Sequence, residues 1–140
     1  MSGNNNDLHN NIAVKDAVSP VATTGNTAIT GLTIDRQGFN SVEFVATLGT
    51  ITTAGTTYTV EVQESDTTTS GDFTPVADVD LLGTEAAASF VDSEINTSKK
   101  IGYIGNKRYV RVKVTPAGNT GASTFGAVAV LGNPALAPTA

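Results

Sequence analysis

Apolar and polar residues alternate with period two along most of this chain, the pattern of strands with one buried face. The alternation is clearest over residues 107–115. There Arg108, Val110, Val112 and Val114 share one parity, and Lys107, Tyr109, Arg111 and Lys113 share the other. Residues 57–64 set Tyr58, Val60 and Val62 inward against Thr57, Thr59, Glu61 and Gln63. Residues 41–48 set Val42, Phe44, Ala46 and Leu48 against Ser41, Glu43, Val45 and Thr47. Residues 123–131 are apolar at both parities, which predicts a central strand or one covered by a partner. Weaker strand signals lie at 12–22, where Pro20 marks an edge or a bend, at 27–34, and in short runs at 73–76, 90–91 and 101–104. Residues 77–89 hold the one candidate helical turn, which Gly83 keeps short.

Turn residues separate these runs: Thr24-Gly25-Asn26, the polar loop 65–72, Gly105-Asn106, and Pro116 to Gly121. The pattern predicts an all-β protein, an antiparallel β-sandwich (jelly-roll or Ig-like) of about eight or nine strands. Residues 1–11 are polar and Asn-rich and read as a flexible arm. Residues 12–132 form the sandwich domain, and residues 133–140, with two prolines and no charge, an extended tail.

Composition supports strands and removes most chemistry. Of 140 residues, 22 are Thr and 15 Val, branched side chains that fit a pleated sheet better than a helix. With no Cys, disulfides and thiolate metal sites are excluded. The net charge of −5 argues against nucleic acid as a partner. No apolar run approaches the ~20 residues of a membrane-spanning helix, and the start lacks the pattern of a secretion signal.

The charge is segregated. Residues 37–98 hold ten acids and no Lys or Arg; residues 99–113 hold six bases and no acid. One reading pairs the basic strand with an acidic one inside the molecule, with Glu61 and Glu43 on the same outer face. The other sets the basic strand against a neighbouring subunit or a larger scaffold. The two are compatible.

Catalytic constellations are missing. The one imidazole, His9, lies in the arm with no nucleophile elbow to serve. The acid pairs Asp78/Asp80 and Glu64/Asp66, with Asp72 beyond, match no calcium loop. Gly102 to Lys107 reads as a tight hairpin turn, not a phosphate loop, because no Lys-Ser/Thr pair or helix follows. Tyr109 could stack on a base, but cross-strand packing suits an acidic protein better. No enzyme activity, cofactor, metal, nucleic acid, membrane or small-molecule substrate is expected.

Three stretches taken together carry a resemblance: Tyr58 to Asp66 continuing through Gly71 to Gly83, Ile101 to Gly118, and Gly126 to Pro134. This combination resembles the small β-rich capsid decoration, or cement, proteins of tailed bacteriophages. The resemblance implies a virion structural protein on the outer capsid surface, made in the host cytoplasm. It would bind the major capsid protein through many weak contacts and assemble as a homo-oligomer, with a trimer favoured. A head-completion or tail protein, or an exterior carbohydrate- or receptor-binding sandwich using Tyr58, Tyr103 and Tyr109, are the alternatives. Candidate partner contacts are Lys99, Lys100, Lys107, Tyr109, Arg111 and Lys113 in the basic stretch, Leu8 and Leu136 in the arms, and strand 123–131.

Overall fold

The computed structural model describes residues 7–136. Among these, eleven strands form two antiparallel sheets. They are β1 (Ala13–Thr23), β2 (Ile29–Thr30), β3 (Ile34–Asp35), β4 (Phe39–Ile51), β5 (Thr57–Ser65), β6 (Thr74–Pro75), β7 (Leu81–Leu82), β8 (Phe90–Val91), β9 (Thr97–Tyr103), β10 (Tyr109–Ala117) and β11 (Ser123–Pro134). The five-stranded sheet runs β1-β11-β4-β9-β7. The six-stranded sheet runs β2-β10-β5-β6, with β3 also on β10 and β8 also on β5. The protein is therefore a β-sandwich. Its count exceeds eight or nine because β2, β3, β6, β7 and β8 are two-residue pairings, too short to print a period.

The period-two pattern places the core. Val42, Phe44, Leu48, Ile101 and Leu131 of one sheet meet Tyr58, Val60, Val62, Val110, Val112 and Val114 of the other, all buried. The Tyr58 and Phe125 rings stack with centroids 5.6 Å apart, and Phe90 meets Phe125 edge-on at 6.0 Å. Beside this stack the Tyr58 hydroxyl shares hydrogen bonds with Thr23 and Ser123, which also receives Asn119 Nδ2.

The candidate helical turn forms as α1 (Glu85–Ala88), capped by the Thr84 hydroxyl, which accepts from Ala87 N–H. It does more than connect. Val62 N–H donates to Glu85 Oε1 and Val60 N–H to Ser89 Oγ, so side chains fill the edge of β5 between β6 and β8. Across the sandwich, Gly31 N–H donates to Val112 O and Leu32 N–H to Ala17 O, tying β10 to β1. Gly31 is required there, since a Cβ would lie 2.5 Å from Val112 O and 2.7 Å from Ala17 O. Pro20 sits in edge strand β1, where the register shifts between Val18 and Val21.

Candidate functional site

The basic stretch is largely consumed inside the molecule. Pairing of β10 with β5 sets Lys113 opposite Glu61, Val112 opposite Val62 and Arg111 opposite Gln63. Glu43 does not share that face. It lies on β4 in the other sheet, beside Lys100, and burial raises its carboxyl pKa against that lysine's pull. Arg111, one of the candidate partner contacts, is only 8% exposed. The loop 66–73 folds over it, and its guanidinium stands 4.1 Å from the Phe73 ring centroid. It donates to Gln63 Oε1 (2.8 Å) and Ser70 Oγ (3.0 Å). Period two put Arg111 outward correctly; the loop that covers it carries no periodic signal.

Lys107 pairs with Asp66 at 2.6 Å, and Lys99 with Glu94 at 2.9 Å while also donating to Ser89 O and facing the Phe90 ring. Tyr109 is half-buried, with the Arg108 guanidinium 5.0 Å from its ring centroid. Arg108 also forks onto Asp35 through Nε and Nη2, which holds that carboxyl at about 2. Of the basic candidates, Lys100 stays exposed on an outer sheet face.

The stretch Gly102 to Lys107 is no hairpin. It carries the chain from β9 in one sheet to β10 in the other. Tyr103 OH donates to Glu64 Oε2 at 2.6 Å and accepts from Lys107 N–H at 3.0 Å; burial first, then the Glu64 carboxylate, pushes its pKa up. Arg36, which the pattern along the chain does not single out, clamps this turn. Its guanidinium donates to the carbonyls of Lys107, Gly105 and Phe39. The acids of residues 64–72 are engaged in the same way: Glu64 with Tyr103, Asp66 with Lys107, Asp72 with Thr67. Among the described residues no three His, Asp or Glu side chains gather as a cation site, and no helix is long and apolar enough to cross a membrane. Tyr58 and Tyr103 are buried, so the three tyrosines cannot line a sugar-binding groove.

What remains open is the outer face of the five-stranded sheet. Strand β11, apolar at both parities, lies inside this sheet between β1 and β4. One parity (Phe125, Ala127, Ala129, Leu131) enters the core; the other shows Gly126, Val128, Val130 and Gly132 outside. Register brings Val14 beside Val130 and Val45 beside Val128, and Val14 is 59% exposed. Next to them a shallow depression of about 450 Å³ is lined by Pro20, Thr47, Gly49, Thr124 and Gly126. The sequence pointed to β11; it could not name Val14 or Val45, because which strands flank β11 depends on long-range pairing.

The arms adjoin this sheet. Residues His9–Asn11 form a single 3-10 turn against β11, and Leu8 before it is 69% exposed. Strand β11 runs on to Pro134 beside Phe39, Ala135 N–H bonds Gly38 O, and Leu136 is 86% exposed. The start of β1 pairs with the end of β11, so both segments leave from one end of the sheet. The expected arm residues 1–6 and tail residues 137–140 lie outside the described residues.

No family model matches this sequence, and no curated protein does. Solved structures are similar to it in part. The PBSX exported protein XepA is similar over 86% of this chain and 37% of its own, with a TM-score of 0.55 and 18% identity. A chain of infectious bursal disease virus Gx strain is similar over 90% of this chain and 34% of its own, with a TM-score of 0.45 and 14% identity. The chain thus spans about a third of the length of either.

Proposed function

We propose that this protein is a non-enzymatic virion structural protein that decorates and stabilises a bacteriophage capsid by contacting the major capsid protein in many copies. The observation that carries the reading is the placement of Leu8 and Leu136. Two exposed apolar anchors leave one end of one sheet on short segments, beside an apolar sheet face, while the basic strand β10 is occupied internally. Such segments can order on a neighbouring surface, losing entropy at that step but covering a large area. A closed shell repeats the contact, so weak individual sites add up by avidity. The sandwich likeness to XepA and the combined stretches of sequence named above support the same reading.

Deletion of residues 1–11 tests it. The folded sandwich keeps its unfolding temperature, because β1 begins at Ala13, while co-sedimentation with phage shells lacking the protein drops at least tenfold. Attachment that survives the deletion and a Leu136→Asp substitution refutes the role of the two anchors. Failure of the intact chain to bind or to heat-stabilise shells refutes decoration itself.

A further inference from the structure

Register aligns one residue from each of four strands in a straight row across the outer face of the five-stranded sheet: Asp16 on β1, Val128 on β11, Val45 on β4 and Lys100 on β9. With strands about 4.8 Å apart, the acid and the base stand about 14 Å from each other with two valines between. Both charged ends are exposed. Asp16 accepts a hydrogen bond from Ser19, and among the described residues neither Asp16 nor Lys100 has an ion pair. Glu43, in the adjacent row, is the carboxylate that the Lys100 charge reaches. Acid, valine, valine, base is a row that matches itself when turned end for end.

We propose that this face is a docking site for a second copy of the same chain, packed sheet to sheet about a twofold axis that runs along the strands through the middle of the row. Asp16 of each copy then meets Lys100 of the other, and Val128 meets Val45 at both positions. Self-complementarity of this kind is what an isologous contact needs and what a foreign partner does not require. Size agrees. Strands β1, β11 and β4 are 11, 12 and 13 residues long and β9 is 7, so the face over four strands covers roughly 700 Å². That is on the order of the 800 Å² each partner contributes to a stable interface. Small residues border the row on one side, Gly126, Thr47 and Ser98, and return on the other beyond the adjacent row, at Gly132 and Ser41. They let two sheets approach to about 10 Å and lose little rotamer entropy. In the adjacent row Val14 of one copy faces Gly102 of the other, and Val130 faces the half-buried stem of Glu43.

The inference goes beyond decoration and is tested without particles. The full chain, Asp16→Lys, Lys100→Asp, the double variant and an equimolar mixture of the two single variants are compared by sedimentation equilibrium and native mass spectrometry, with one variant mass-tagged. Circular dichroism checks that each is folded. The geometry expects a dimer for the unaltered chain and an association constant at least tenfold lower for each single variant. The double variant regains it. In the mixture, the lysine introduced at position 16 of one variant meets the aspartate introduced at position 100 of the other. The unaltered Asp16 and Lys100 meet at the second contact, so heterodimers form where neither variant self-associates. A monomeric or trimeric unaltered chain overturns the proposal, as does single-variant dimerisation at full strength or a mixture that stays monomeric. A chain that is monomeric in solution but shielded at Val128 on shells gives the face to the capsid protein; it overturns the pairing and leaves decoration standing.

Discussion

Replacing Arg111 with alanine separates a strand face closed by its own loop from one reserved for a partner. The guanidinium lies 4.1 Å from the Phe73 ring centroid in a desolvated position, an attraction worth about 1–2 kcal/mol. It also donates two well-formed hydrogen bonds, to Gln63 Oε1 and Ser70 Oγ, each worth about 1.5–3 kcal/mol net with a charged donor. Against these stands the cost of burying a cation with no carboxylate beside it, which lowers the Arg111 pKa. The balance leaves a loss of about 2–3 kcal/mol, because truncation also strands the buried Gln63 carbonyl and uncovers Phe73. For a domain of this size ~4 °C accompanies each kcal/mol, so Tm falls by roughly 10 °C. Calorimetry gives the shift, and urea unfolding gives the free energy with an unchanged m-value. Arg111→Met, which keeps the stem over Phe73, loses about half as much. A fall of less than about 2 °C, joined to weakened shell binding, would show that the loop does not hold Arg111 and that the strand faces a partner after all.

Acid tests the fork of Arg108 on Asp35: the folded carboxyl titrates at about 2 and the unfolded one at 3.8. Its stabilisation is therefore complete above pH ~4 and lost as pH falls towards 2. Both side chains are more than a third exposed, so screening leaves about 1 kcal/mol. Asp35→Asn should flatten the pH dependence of urea midpoints in that window, and an unchanged slope would dismiss the pair. Gly31→Ala drives a Cβ against two backbone carbonyls that cannot yield independently, and costs about 2–3 kcal/mol by the same unfolding assay; a neutral result would mean that β10 and β1 are not tied there.

The long strands were legible, and the short runs at 27–34, 73–76 and 90–91 overlap β2, β3, β6 and β8; β7 was hidden inside the stretch 77–89 that reads as a helical turn. Residues 41–48 and 57–64 show period two because each buries one face, and they recur inside β4 and β5; the run 107–115 does the same from Tyr109 on, in β10. β2, β3 and β6 to β8 owe their pairing to what lies across from them in space. The basic stretch shows the same limit. Its cross-strand pairing with Glu61 follows from alternation and charge. The burial of Arg111 does not, because Phe73 and Ser70 reach it from a loop that looks like plain polar solvent-facing sequence. Glu43, counted with Glu61 by parity alone, ended in the opposite sheet because parity reports which face is buried but never which sheet.

The two sheets differ in how completely their own chain closes them, and that difference bears on function. In the six-stranded sheet α1 side chains occupy the edge of β5, Gly31 occupies β10, and the loop 66–73 lies over Arg111 and Gln63. The five-stranded sheet is treated otherwise: an apolar strand crosses its middle with Val128 exposed and Val130 half-exposed on the outer face. Leaving these valines in water forgoes roughly 1–2 kcal/mol each relative to covering them. A sandwich with so few charged residues to spare loses that stability in isolation and recovers it when the face is covered. The proposed adhesion therefore draws on the sheet where the sequence is least polar, and not on the strand where its positive charge is most conspicuous.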